Sequence, residues 1–121
     1  MSWDLYVGEE WIGNYTHNTN PMIRAASVWP RSIEPVPAIA DEVLFRAPVL
    51  GVCWGDFDGR PAREAGLFAE DIIKELERDP EHYTQMNPPN GWGSMKTLLE
   101  FLRQVRGRCL ECPEATFGAS G

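Results

Sequence analysis

The stretch PAREAGLFAEDIIKELER, residues 61–78, decides the fold class. Ala65, Phe68, Ala69, Ile72, Ile73 and Leu76 recur at i, i+3, i+4, i+7, i+8 and i+11, which lines one face of a helix. Glu64, Glu70, Asp71, Lys74, Glu75 and Arg78 are expected on the wet side. Pro61 suits the start and Asp79-Pro80 the end, so the pattern predicts an amphipathic helix over residues 63–78. Residues 81–86 are expected to add another helical turn.

Working outward, Asn87-Pro88-Pro89-Asn90-Gly91-Trp92-Gly93 is a shaped loop, because two prolines and two glycines defeat regular structure. Ser94 is placed to cap a second helix, with Met95, Leu98, Leu99, Leu102 and Val105 as its apolar stripe. Arg103, Arg106 and Arg108 fall near its C-terminus, where the dipole favours cations, and Pro113 stops it. Residues 115–117 predict a last short strand, and residues 118–121 a frayed end. Upstream, residues 3–7 and 11–16 read as two strands around the turn Gly8-Glu9-Glu10, a hairpin. Asn20 as cap, Pro21 as first helical residue, then Met22, Ala25, Ala26 and Trp29 predict a short helix over residues 21–28. Residues 30–48 are Pro-rich and read as an irregular connection, with a short helix over 38–45 as an option. Residues 49–54 fit strand or loop, and Gly55-Asp56-Phe57-Asp58-Gly59 fits a turn. The expected architecture is α+β in a single domain, residues 1–121. A small antiparallel sheet with an N-terminal hairpin carries two main amphipathic helices on one face.

Of 121 residues, 43% are hydrophobic and 24% charged, which are globular proportions. No apolar run reaches the length of a membrane span, and the start lacks the basic and apolar stretches of an export signal. A cytoplasmic protein is therefore expected. Eighteen acids against eleven bases give a charge of −7, which repels nucleic acid and anionic membrane and suits a basic protein partner. Three cysteines, an odd number, are expected as free thiols. Cys109-Leu110-Glu111-Cys112 supplies two zinc ligands of the four a structural site needs; Cys53 with His17 or His82 would have to complete it. The pair closes a helix where a redox motif would open one. Cys109 is therefore expected in the core and Cys112 in the exit turn, with no metal and no cofactor.

Two polar junctions stand out. Asn14-Tyr15-Thr16-His17-Asn18-Thr19-Asn20 supplies donors and acceptors in mixed orientations at the end of a strand. Capping and turn formation account for Asn18 to Asn20, less well for Asn14, Thr16 and His17. Asn90-Gly91-Trp92-Gly93-Ser94 sets an aromatic between glycines before a helix start, a place for an anion, although the residues are not those of a P-loop. In the bland reading Trp92 plugs the core. If the helices starting near Pro21 and Ser94 enter side by side, both junctions and Arg24 line one pocket for a small polar or phosphate-bearing molecule. Asn14, Thr16, Asn18 and Arg24 would then hydrogen-bond the ligand, beside His17; Trp92 would stack, and the backbone of Gly91, Trp92, Gly93 and Ser94 would hold a phosphate. The acids Asp56, Asp58 and Glu64 do not have the spacing of a calcium loop and are expected as a turn and a helix start. No hydrolase signature is present, and a Cys53–His17 nucleophile pair has no local support, so an enzyme is not expected.

The run from Asn14 to Met22, the loop from Asn87 to Ser94 and the Cys-x-x-Cys-Pro-Glu-Ala end resemble a loose group of small proteins of actinobacterial phages and related mobile elements. The resemblance covers both ends and the helix from Arg63, and brings no catalytic residue. It implies an accessory protein made in a bacterial host's cytoplasm, with counter-defence as the function by analogy. The leading expectation is a non-enzymatic binder that sequesters a small polar, nucleotide-derived ligand, as a homodimer that helps close the pocket. The alternatives are an acidic inhibitor of a basic host protein or nuclease, and a phage structural or assembly protein.

Overall fold

Strands β1 (Ser2–Val7) and β2 (Glu10–Thr16) form the expected antiparallel hairpin. The computed structural model describes residues 2–29 and 49–121. The Pro-rich connection and its optional helix over 38–45 lie outside the described residues. Leu5, Val7 and Ile12 point inward and are buried. The pairing slips between Leu5 and Tyr6, so that Leu5 faces Gly13 while Tyr6 faces Trp11. This bulge leaves Ile12 unpaired and changes which residues share a face.

Past a 3-10 turn, His17–Thr19, helix α1 runs over Asn20–Ala26. Asn20 is not its cap: its side-chain oxygen accepts from Trp3 Nε1 at 2.9 Å and from the Cys53 thiol at 3.6 Å. The helix also stops short of residue 28. Ser27 is extended and its hydroxyl donates to the Val52 carbonyl at 2.7 Å. Strand β3 (Val28–Trp29) then pairs antiparallel with β4 (Val49–Leu50). A second 3-10 turn, Trp54–Phe57, occupies the expected turn cluster.

Helix α2 (Ala62–Arg78) forms as its periodicity requires, followed by the short α3 (Pro80–Thr84) capped by Asp79. The apolar stripe is buried, but so are Glu64 and Asp71, two residues expected on the wet side. Glu64 is buried as a carboxylate gripped by Arg60, whose Nε and Nη2 donate to Oε1 and Oε2 at 2.9 and 3.2 Å. Helix α4 (Met95–Glu111) packs along α2. Gly66 makes the approach possible: a Cβ there would lie 3.0 Å from Cys109 Cβ.

The chain end is not frayed. Strand β5 (Phe117–Ser120) pairs antiparallel with β1, giving the order β2-β1-β5. Phe117 is fully buried, and Asp58 accepts the Ala119 N–H at 2.9 Å. The observed fold is thus α+β, with an antiparallel three-stranded sheet and the packed pair α2 and α4. Trp54, fully buried, lies at its centre. Its ring meets Phe68 of α2 at 5.2 Å, Phe101 of α4 at 6.2 Å and Phe117 of β5 at 6.0 Å. Among the described residues no helix is long and apolar enough to cross a membrane.

Cys109 faces the core and Cys112 is exposed just after α4, and all three thiols are free. Burial pushes the Cys109 thiol up to about 12 from its ordinary 9.0. The unfolded chain therefore releases that proton first, and the fold is expected to lose stability as pH climbs from 9 towards 12. At neutral pH, iodoacetamide is expected to label Cys112 in the native protein and Cys53 and Cys109 only in denaturant. Mass-mapped labelling of Cys109 in the native state would contradict this packing.

Candidate functional site

The two polar junctions meet. At the end of β2, Thr16 Oγ1 accepts the Asn18 N–H at 3.1 Å and shapes the turn that follows. Some seventy residues on, side chains hold the loop before α4 in the same way. Asn90 Oδ1 accepts the Trp92 N–H at 3.0 Å, and Asn87 Oδ1 accepts the Met95 N–H at 2.8 Å. Gly93 then takes φ +91° and lies directly on the first junction: a Cβ there would sit 2.7 Å from Thr16 Cγ2 and 2.9 Å from Thr19 Cγ2. The Tyr15 hydroxyl ties the two together, 2.5 Å from Thr97 Oγ1, while its ring stacks on Phe101 at 4.9 Å.

Between them opens a pocket of about 680 Å³, lined by Ser2, Asn14, Tyr15, Thr16, Asn18, Asn90, Trp92 and Gly93. Trp92 is 67% exposed, so it is not a core plug. Six residues expected in the site are therefore among its lining: Asn14, Thr16, Asn18, Asn90, Trp92 and Gly93. Tyr15 belongs to the first junction but had no assigned role, and Ser2 was not expected. The hairpin register brings Ser2 there, opposite Thr16. His17, Arg24, Gly91 and Ser94 were expected and do not line it. His17 packs on Trp3, ring centroids 4.7 Å apart. Arg24 lies on the exposed side of α1, where its charge acts on Cys53. Gly91 makes the turn at φ +77°, and Ser94 caps α4.

Three of the four backbone N–H groups that were to hold a phosphate, those of Gly91, Trp92 and Ser94, are already engaged. The Gly91 N–H goes to Pro88 O at 3.2 Å and the Trp92 N–H to Asn90, while Ser94 and Thr97 exchange bonds in a capping box. Among the described residues no Lys, Arg or His lines the pocket. The carboxylate of Asp4 is one hydrogen bond away from the lining residue Asn14. Asp4 Oδ1 accepts from Asn14 Nδ2 at 2.9 Å and from Trp11 Nε1 at 3.1 Å. These two bonds, Asn14 first, hold the Asp4 carboxyl below its ordinary 3.8.

The Cys53 thiol donates to Asn20, and burial raises its pKa, the opposite of what an activated nucleophile requires. Among the described residues no three His, Cys, Asp or Glu side chains gather where a metal ion could sit.

Seating the loop on β2 depends on Gly93. Gly93→Val combines a left-handed backbone with two overlaps, and is expected to cost about 3 kcal/mol in urea denaturation. An unchanged midpoint would mean that the loop does not rest on Thr16 and Thr19.

No family model, no curated protein and no solved structure matches this chain.

Proposed function

We propose that this chain is a non-enzymatic binding protein that takes a small polar ligand into the pocket between β2 and the loop before α4. The observation that carries the reading is Trp92. A large aromatic ring stands two-thirds exposed on the lip of a pocket whose other residues are hydrogen-bonding side chains and a glycine. An exposed ring in such a place offers area to a flat or apolar ligand face, and the amides and hydroxyls set its orientation. In line with the resemblance to proteins of actinobacterial phages, the role would be that of an accessory protein made in the host cytoplasm. It would counter host defence by sequestering a small polar signal molecule.

Native mass spectrometry of the protein from bacterial cytosol reads both a retained ligand and whether two copies assemble. Titration with adenosine, guanosine and their monophosphates, followed by tryptophan emission, is expected to give saturable binding for at least one probe. Trp92→Ala is expected to weaken it roughly 5- to 150-fold, the range of base–aromatic stacking of about 1–3 kcal/mol. Because the ring is exposed, the melting temperature should hardly move. Full affinity in a folded Trp92→Ala protein would remove the assignment.

A further inference from the structure

The bulge in β2 has a consequence for the sheet's outer face. Asp4 and Tyr6 are two apart on β1 and share a face, so their partners Asn14 and Trp11 share it too. Trp11 is 56% exposed, and its indole N–H is tied to Asp4. A strip therefore runs from Trp11 through Asp4 and Asn14 to the pocket, where Ser2 faces Thr16. At about 3.3 Å per residue, the four steps from Tyr6 to Ser2 span roughly 13 Å.

The polar atoms along this strip are spent unevenly. Asn14 Nδ2 donates to Ser2 Oγ and Asp4 Oδ1, both at 2.9 Å. The carboxylate fixes which end of the amide carries the hydrogens, so Asn14 Oδ1 remains as an acceptor. Ser2 Oγ and Thr16 Oγ1 each accept a bond and keep their O–H to donate. The Asn90 amide nitrogen has two further hydrogens, because its oxygen serves the Trp92 N–H. The groups left for a ligand are thus one acceptor, Asn14 Oδ1, and three donors, on Ser2, Thr16 and Asn90, and among the described residues no Lys, Arg or His lines the pocket with them.

We propose that the pocket and this strip together form an extended site for an uncharged oligosaccharide of two to three units, seated between Trp92 and Trp11. The proposal rests on the pocket being a ligand site, and it names the ligand class. Sugar hydroxyls both donate and accept, so they answer Asn14 Oδ1 as well as the three donors, whereas a phosphate, an acceptor only, leaves Asn14 Oδ1 unanswered. The C–H face of a pyranose is apolar and slightly positive, and it matches the negative face of an indole. An ionised Asp4 and a net charge of −7 repel anionic ligands and leave neutral ones unaffected.

The test screens the labelled protein on an array of neutral, sialylated and sulfated glycans, then titrates the best neutral trisaccharide and its methyl monosaccharide by calorimetry. Neutral glycans should bind and sulfated ones should not, and the trisaccharide should bind at least tenfold tighter than the monosaccharide. Trp11→Ala should remove that tenfold and leave the monosaccharide within twofold, whereas Trp92→Ala should weaken both. Circular dichroism confirms that each variant is folded. An array without neutral signals, or a trisaccharide indifferent to Trp11, overturns the proposal. Saturable adenosine or nucleotide binding without sugar binding overturns this inference alone. Silence from every probe, with a bare native mass, sinks the binding reading as well.

Discussion

Trp54→Ala is expected to cost the fold about 3–5 kcal/mol, the range for truncating a buried aromatic. The ring is fully buried and touches aromatic rings on α2, α4 and β5 at once, so its removal opens a void that no single element can close. Total stabilities are typically about 5–15 kcal/mol, so roughly a fifth of the margin or more would go. Urea denaturation should show a much lower midpoint with an unchanged slope. Trp54→Phe separates packing from polarity. The Trp54 Nε1 is buried without a hydrogen-bond partner among the described residues, and an unsatisfied donor carries a penalty of about 1–3 kcal/mol. Phenylalanine removes that penalty while leaving a smaller void, so this variant is expected within about 1 kcal/mol of the native protein. Equal losses for Phe and Ala would show that the indole N–H does have a partner.

Arg60→Met is the second large effect, expected near the lower end of about 3–5 kcal/mol. It strips a two-pronged guanidinium from a carboxylate that is fully out of water. Arg60 itself is about one-third exposed, and that partial hydration is why the lower end applies. Adding Glu64→Met to Arg60→Met should restore part of the loss, since the buried carboxylate is then gone. A coupling of at least about 1 kcal/mol in this double-mutant cycle is expected. Strict additivity would mean that other groups satisfy Glu64 and that the ion pair contributes little.

Glu64 also shows where periodicity stops being informative. The spacing of Ala65, Phe68, Ile72 and Leu76 locates one apolar stripe, and the helix obeys it. It does not say how many neighbours the helix will have. Helix α2 is covered on more than that stripe, so Glu64 and Asp71 enter the interior despite their chemistry. Strand β5 is the converse case. Gly118, Ala119 and Ser120 have little intrinsic preference for strand, yet the edge of β1 and the Asp58 side chain hold them in one.

In the candidate site, the polar junctions were legible as runs of Asn, Thr and Gly next to a Trp, and the structure brings the two together. Their membership was not legible. Arg24 and Ser94 carry suitable groups but turn them elsewhere, while Ser2, a residue without any local signal, becomes lining through the hairpin register. The outward face of Trp11 was hidden for the same reason. Alternation places residues 11 and 14 on opposite faces, and only the bulge puts them on one.

By itself, the sequence determined what depends on near neighbours: the two long amphipathic helices, the hairpin, the Ser94 cap and the Pro-Gly loop. These follow from spacing, capping chemistry and backbone sterics within a few residues. The tertiary structure decided what depends on contacts between distant segments. It made the chain end the third strand of the sheet, buried two acids of α2, centred the core on Trp54, and closed the pocket by seating Gly93 on Thr16. Each of these is set by register, by burial from several sides at once, or by a close approach across some sixty to eighty residues of chain, and no local pattern of residues encodes it.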